Sequence, residues 1–178
     1  MPTLQVDRLT FLFTATVTAQ CYDKWQHYSA VWNAAGGQKA VDVVAVEGPV
    51  PPTVTWLIEA KDFRIINIAS PPKPSNIGGL PQQVFGKVTD SIAGLRDAVL
   101  NAADASEKGH ASNAIAAPAV RIVLHLEPHV GPHTALFPTG FAASVLQGLR
   151  QLVKAIDPNP LVLNIANTAV AAVPWTVT

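Results

Sequence analysis

The chain has 178 residues; 49% of them are hydrophobic, 13% are charged, and twelve basic residues balance twelve acidic ones. This length suits a single domain with one sizeable core, and the hydrophobic content excludes global disorder. A net charge of zero argues against nonspecific DNA binding, which normally requires a basic surface. The single cysteine, Cys21, excludes an internal disulfide and fits a reducing compartment. We therefore expect a cytoplasmic protein.

The first half of the chain predicts a strand, a helix and a hairpin. Residues 9–18 are rich in β-branched and aromatic side chains, which favour a strand. Between residues 19 and 35, aromatic and apolar positions recur at helical spacing before a Gly-Gly pair, which predicts a helix. The apolar runs 40–47 and 54–63 flank a proline-rich turn, so we expect an antiparallel pair of strands there.

The second half alternates helices with apolar strands. Amphipathic spacing predicts helices at 82–103 and 141–156, and continuous apolar runs predict inner strands at 119–126 and 161–165. Segments rich in Pro, Gly or small polar residues are predicted to be loops, at 69–81, 105–117 and 128–140. This order of elements indicates an α/β fold with a central mixed β-sheet flanked by helices. No apolar run reaches the roughly 18 residues that a membrane-spanning helix needs, so no membrane association is expected.

Two charged residues, Glu59 and Lys61, interrupt the predicted apolar strand 54–63. Because side chains alternate along a strand, both point to the same face, about 6.6 Å apart. Burying charges on such a face is costly unless they bind something. The preceding strand carries Asp42 near its start, and paired strands lie about 4.8 Å apart. If the register places both acids on one face, they can hold one divalent cation, with the carbonyl of Ala60 as a third ligand.

The pattern Asp42…Glu59-Ala60-Lys61 resembles the core motif of the PD-(D/E)xK, or restriction-endonuclease-like, nuclease superfamily. By this resemblance, Asp42 and Glu59 hold Mg²⁺ or Mn²⁺ together with the Ala60 carbonyl, and Lys61 assists the attacking water. The implied catalytic residues are thus the two acids and this lysine. The implied activity is that of a metal-dependent endonuclease that hydrolyses phosphodiester bonds, with DNA as the expected nucleic acid and RNA left open.

The resemblance extends to the order of the elements. From the first predicted helix to the strand that follows the long helix, this order resembles the αβββαβ core of the superfamily and covers about residues 19–127. A single nuclease-like domain, 1–178, is implied, with residues 128–178 as a C-terminal helix–strand elaboration. One departure is Val41, which precedes Asp42 at the position where the family motif has proline.

Three further residues are candidates for accessory roles. In the superfamily an acid on the first helix sometimes joins the metal site, and Asp23 is the only acid on the predicted helix. Many members carry polar or basic residues at the start of the helix after the Glu-x-Lys strand, where this chain has Gln83 and Lys87. These two residues are candidates for contacts to a phosphate. The lack of a basic surplus suggests that contact with nucleic acid is local, or that a homodimer or a partner protein supplies the groove.

Other interpretations of the charged strand remain open. Glu59 and Lys61 also suit the solvated face of an edge strand, and Asp42 suits an acid beside a turn. The neutral charge and the high apolar content favour an alternative function, a non-catalytic interaction module that retains the nuclease-like fold. Asp62 and Arg64, which follow the motif, are interpreted as a solvated strand end.

Four potential zinc ligands lie close together in the sequence: His125, Glu127, His129 and His133. Zinc binds His and carboxylate groups, so a zinc hydrolase built around His125 and His129 is a third hypothesis. The spacing matches no metal motif, and prolines interrupt the segment. His125 and Glu127 share a face of the predicted strand, and His129 and His133 lie in the loop beyond it. A surface loop is therefore favoured over a metal site for this segment.

Overall fold

A mixed β-sheet forms the centre of the protein, and a smaller sheet and several helices cover its faces. The computed structural model describes residues 1–64, 77–129 and 134–178. The strands, in chain order, are β1 (Thr3–Val6), β2 (Leu9–Phe13), β3 (Val17–Cys21), β4 (Val43–Glu47), β5 (Val54–Asp62), β6 (Ala119–Glu127), β7 (Leu161–Leu163) and β8 (Trp175–Val177). The α-helices are α1 (Leu80–Asn101), α2 (Ala105–Ala116), α3 (Phe141–Val153) and α4 (Ile165–Thr168). Shorter helical turns span Tyr22–Lys24, Tyr28–Trp32 and Thr134–Leu136.

The central sheet has five strands in the order β3-β4-β5-β6-β7. Its first three strands form an antiparallel meander, whereas β6 runs parallel to β5 and β7 runs parallel to β6. The connection from β5 to β6 contains α1 and α2, because a parallel pair requires a long crossover. The prediction of an α/β fold with a mixed sheet flanked by helices is therefore confirmed.

The second sheet has three antiparallel strands in the order β1-β2-β8 and covers one face of the central sheet. Alternate residues of β5 consequently enter two different cores. Leu57 lies in the same core as Val88 of α1, whereas Ile58 lies in the same core as Phe13 of β2. Glu59, two residues after Leu57, therefore faces the helices.

Helix α1 confirms the predicted amphipathic helix, with both of its bounds shifted by two residues. Val84, Val88 and Leu95 recur on one face of the helix and are buried. Helix α2 occupies the segment predicted to be the loop 105–117, so that prediction is wrong. Small residues give α2 a weak apolar pattern, but Asp104 caps the helix by accepting hydrogen bonds from backbone N–H groups of its first turn.

The N-terminal part of the chain differs most from the prediction. The single strand predicted at 9–18 is wrong, because a turn at residues 15–16 divides it into β2 and β3, which belong to different sheets. The helix predicted at 19–35 is also wrong, because pairing with β4 makes its first residues part of β3. The aromatic spacing instead belongs to short helical turns and their connections, where Tyr22 and Trp25 are buried.

The predicted antiparallel pair 40–47 and 54–63 is confirmed, and so are the remaining strands and helices predicted for the second half. Strands and helices lie at or near the predicted segments 54–63, 119–126, 141–156 and 161–165. Residues 65–76 and 130–133, which include His133 and much of the predicted loop 69–81, lie outside the described residues. Within the part of the chain that the structure describes, no helix has both the length and the apolar character needed to span a bilayer.

Candidate functional site

The register of β4 and β5 directs Asp42 and Glu59 to one face of the sheet. Val43 pairs with Ile58, so one further step along this antiparallel pair sets Asp42 opposite Glu59. Asp42 lies just before β4, and its carboxylate accepts a hydrogen bond of 2.7 Å from the backbone N–H of Ala60. This contact continues the pairing of the two strands beyond the start of β4 and fixes the carboxylate beside β5.

Glu59 lies at the centre of a group of opposite charges. Its side chain is 1% exposed, and the Nζ of Lys61 lies 2.6 Å from its Oε1. The Nζ of Lys87, on α1, lies 2.7 Å from Glu59 Oε1 and 2.9 Å from Glu59 Oε2. The same ammonium lies 3.7 Å from Asp42 Oδ1. A lysine from the helix thus lies between the two carboxylates, and we call these four residues the acid–lysine cluster.

Burial and ion pairing compete in setting the charges of this cluster. Burial, and next the carboxylate of Asp42, raise the pKa of Glu59, and the ammonium groups of Lys61 and Lys87 offset only part of that rise. Burial disfavours the charge on Lys87, but the carboxylates of Glu59 and Asp42 outweigh it and raise the pKa of Lys87. The ammonium groups therefore supply the compensation that a buried acid pair requires.

Asp23 and Gln83 lie at the border of the acid–lysine cluster. Asp23 belongs to the helical turn after β3, and burial followed by the charge of Asp42 raises its pKa. Gln83 lies one turn before Lys87 on the same face of α1 and is half-buried. The structure thus brings the two predicted acids into contact with two predicted lysines, and Asp23 lies within electrostatic reach of them.

The carboxylate oxygens at this site are the type of ligand that a small hard cation binds. Asp42 and Glu59 supply carboxylate oxygens, which Mg²⁺ and Mn²⁺ favour. Glu59 Oε1 is buried and lies 2.6 Å from the Nζ of Lys61 and 2.7 Å from the Nζ of Lys87, so a cation that used this oxygen would replace an ammonium group. Across the described ranges, no three His, Cys, Asp or Glu side chains form a metal-binding group. Further ligands would come from water and the carbonyl of Ala60, and Lys87 would have to move aside.

His125 and Glu127 form a buried pair on the other face of the sheet. His125 is the partner of Ala60 in the register of β5 and β6, and Ala60 lies in the core beneath the small sheet. The Nε2 of His125 lies 2.9 Å from Glu127 Oε1, which also accepts a hydrogen bond of 2.6 Å from the backbone N–H of Ile165. Burial lowers the pKa of His125. The interpretation as a surface loop is therefore wrong for both residues.

Asp62 pairs with two arginines at the end of β5. Its side chain is 1% exposed, with Arg8 Nε 3.0 Å from Oδ2 and Arg64 Nε 2.9 Å from Oδ1. The interpretation as a solvated strand end is therefore wrong for Asp62, because Arg8 reaches it from a turn 54 residues earlier in the chain. Nearby, the Nδ1 of His129 lies 3.0 Å from the carbonyl oxygen of Arg64. No local pattern in the sequence indicates this arrangement.

A cavity of about 570 Å³ lies elsewhere, near the N-terminal ends of β5 and β6. Its wall includes Leu57, Ile92 and Val120, together with the guanidinium-bearing side chain of Arg96. None of the four residues of the acid–lysine cluster lines this cavity. The cavity and the cluster are therefore separate features of the molecule.

Comparisons with known proteins provide one partial similarity. No family model matches the chain, and no solved structure matches it. Over 152 residues the chain is 27% identical to a cysteine–tRNA ligase of Neisseria meningitidis serogroup A / serotype 4A (strain DSM 15465 / Z2491). This similarity covers 71% of the chain but 21% of that protein, so the chain spans about a fifth of the length of its relative. A match of this extent does not assign the activity of the whole ligase to this chain.

Proposed function

We propose that this protein is a metal-dependent nuclease that hydrolyses phosphodiester bonds, with DNA as its expected substrate. The observation that carries the proposal is the geometry of the acid–lysine cluster. Asp42 and Glu59 share one face, Lys61 lies 2.6 Å from Glu59, and Lys87 lies between the acids. Titratable groups shifted by both burial and specific charged partners are typical of functional sites.

The order of the elements supports a restriction-endonuclease-like core for this nuclease. The meander β3-β4-β5, the helical crossover and the parallel strand β6 agree with the βββαβ part of the αβββαβ core that the motif implies. Asp42 lies at the start of the second of these strands, and the Glu-x-Lys sequence lies in the third, as the resemblance expects. The leading helix differs, because β1 and β2 precede β3 instead.

The proposed reaction follows from the charges of the cluster. A divalent cation held by Asp42 and Glu59 would lower the pKa of a bound water and stabilise negative charge on the phosphate. The side chain of Lys61 is 28% exposed, so its ammonium can donate a hydrogen bond to a non-bridging phosphate oxygen while it remains near Glu59. Water adds to phosphorus and loses a proton, the bond to the leaving oxygen breaks, and that oxygen gains a proton.

Lys87 has a separate role in this proposal. Without a cation, its ammonium supplies the positive charge that the two acids need in a mostly enclosed site. If a cation took that position, Lys87 would turn from the carboxylates toward the phosphate. The side chain is 23% exposed, which leaves space on its outer side for this movement.

Cleavage of supercoiled plasmid DNA with Mg²⁺ or Mn²⁺ tests the assignment. Glu59→Gln and Lys61→Ala should each lower the cleavage rate by at least about 100-fold, because each removes a group that acts on the charge of the transition state. Lys154→Ala, which removes an exposed lysine at the end of α3, is the matched control and should cleave like the wild type. Equal rates for all four proteins would reject the catalytic assignment.

One observation favours a second candidate function, a non-catalytic interaction module with the same fold. The two acids and two lysines of the cluster neutralise one another, so they are stable in the protein without a ligand. Calorimetric titration with Mn²⁺ separates the two candidates. The nuclease binds Mn²⁺ and loses this binding in Glu59→Gln, whereas the module shows no heat that depends on the carboxylate. For either candidate, a second copy of the chain or a partner protein would supply additional basic surface.

A further inference from the structure

A second charged group lies at the same end of β5 as the acid–lysine cluster, on the opposite side of the strand. Asp62 directly follows Lys61, and adjacent side chains of a strand point to opposite faces. The carboxylate of Asp62 is buried, whereas its partners Arg8 and Arg64 are 44% and 38% exposed. Arg8 comes from the turn between β1 and β2, so the small sheet contributes to this edge of the molecule.

The contacts with Asp62 fix the orientation of both guanidinium groups. Arg8 donates hydrogen bonds from Nε to Asp62 Oδ2 at 3.0 Å and from Nη2 to the Asp62 carbonyl oxygen at 3.2 Å. Arg64 donates from Nε to Oδ1 and from Nη2 to Oδ2, both at 2.9 Å, which is a bidentate contact. These contacts use the Nε and Nη2 sides, so in the described part of the chain both Nη1 groups remain available to a ligand.

This group of three side chains combines one carboxylate with two guanidinium groups. Above all the Arg64 guanidinium, and then Arg8, hold the pKa of Asp62 well below its usual range despite the opposing effect of burial. One ionised carboxylate therefore faces two guanidinium groups. The hydrogen bond to Asp62 and the charge of Asp62, and further the charge of Glu127, raise the pKa of Arg64, so the oriented donors and not a net positive charge distinguish this site.

We propose that Arg8 and Arg64 form a binding site for the sugar–phosphate backbone of nucleic acid, held in position by Asp62. The inference rests on the proposed nuclease function, because it places a backbone contact beside the cleavage site. Guanidinium groups that a buried carboxylate orients present planar N–H donors that match phosphate oxygens. The site lies at the same end of β5 as Lys61, on the opposite side of the strand. A chain of zero net charge thereby gains oriented donors for a phosphate.

Fluorescence anisotropy with a labelled DNA duplex in EDTA measures binding without cleavage. Arg8→Ala and Arg64→Ala should each weaken binding, and each should reduce the slope of log affinity against log salt concentration by about 0.9. A fourfold rise in salt should accordingly weaken the wild type about 3.5-fold more than either variant. Arg150→Ala removes an exposed arginine on α3 and serves as the matched control, which should bind like the wild type.

Asp62→Asn separates the orientation of the arginines from their charge. This variant adds positive charge, so a surface that acts through charge alone would bind the duplex more tightly. If Asp62 positions the arginines, binding should weaken instead, in a variant whose thermal unfolding shows that it is folded. If the variant does not fold, the two arginine variants decide the question by themselves.

Three results have distinct meanings for the two proposals. If Arg8→Ala and Arg64→Ala bind like Arg150→Ala, the inference is wrong, and the arginines only attach the turn between β1 and β2 to β5. A wild type that binds no duplex, single strand or RNA would also reject it. The nuclease proposal would survive either result provided that Glu59→Gln abolishes cleavage. Arginine-dependent binding without metal-dependent cleavage would retain this site and reject the nuclease.

Discussion

Replacement of Lys87 by methionine removes the ammonium between the two acids and keeps most of the volume of the side chain. Its Nζ lies 2.7 Å from Glu59 Oε1 and 2.9 Å from Oε2, so the variant leaves this buried carboxylate with Lys61 as its remaining cation. Loss of one partner of a buried ion pair costs about 3–5 kcal/mol when the other charge is left alone. Because Lys61 remains at 2.6 Å and Lys87 is partly exposed, we expect a loss of about 1–3 kcal/mol.

Thermal unfolding without divalent cations measures this loss. In a chain of this size 1 kcal/mol corresponds to about 2–4 °C, so the Tm of Lys87→Met should fall by about 4–8 °C for a loss in the middle of the expected range. The control Lys154→Met changes an exposed lysine and should remain within about 0.5 kcal/mol of the wild type.

The loss of stability in Lys87→Met should depend on pH. The pKa of Glu59 is raised by burial and by Asp42, and removal of an ammonium raises it further. A group whose pKa is higher in the folded than in the unfolded protein stabilises the folded state fully at pH values below its unfolded pKa. This stabilisation is lost as the pH rises through the pKa of the folded state. The difference between the variant and the wild type should therefore be largest near about pH 8 and smaller near about pH 5.

Mn²⁺ should affect the two proteins differently. In the wild type a bound cation would compete with the Lys87 ammonium, and in Lys87→Met this competitor is absent. Mn²⁺ should therefore bind the variant more tightly and raise its Tm more, since ligands stabilise the folded state according to their affinity. If Lys87→Met had the Tm of the wild type without Mn²⁺ and also its Mn²⁺ affinity, Lys87 would not be the residue that neutralises the acids at the proposed cation position.

Three further predictions concern the scaffold. Asp104→Ala removes the N-cap of α2 and should lower stability by about 1 kcal/mol, visible as a fall of about 2–4 °C in calorimetry. Gly94→Ala places a methyl group against the hydroxyl of Tyr22 and the ring of Trp32, and should lower the free energy of unfolding in urea by about 1–3 kcal/mol. An unchanged midpoint urea concentration would show that α1 can shift to make room for the methyl group. Burial lowers the pKa of His110, so the contribution of this residue to stability is lost as the pH falls below about 6.5. In unfolding followed by fluorescence, the free energy of unfolding of His110→Gln should therefore fall less between about pH 7 and pH 5 than that of the wild type.

Features that depend on local geometry can be predicted from this sequence. The continuous apolar runs of β5 and β6 and the periodic spacing of α1 each lie within one segment, and all three elements are predicted close to their observed bounds. The shared face of Asp42 and Glu59 is also local, because it requires only that β4 and β5 pair as neighbours with this register.

Features that depend on distant partners are not predicted. The segment that contains β2 and β3 has one continuous strand pattern, but β2 pairs with β8 from the far end of the chain, and the two strands join different sheets. Arg8 contacts Asp62 across 54 residues, and Lys87 contacts Glu59 across 28 residues. The burial of Asp62 and the position of Lys87 between the acids depend on these contacts, which no spacing within a short window encodes.

The pairing of β2 with β8 has a consequence for synthesis on the ribosome. The hairpin of β1 and β2 is made before β8, and Phe13 meets its cross-strand partner Trp175 only after all the residues between them have been translated. Contacts of such high sequence separation form slowly. A nascent chain that pauses before β8 therefore leaves aromatic residues of β2, Phe11 and Phe13, incompletely covered, and this is the kind of surface on which molecular chaperones act.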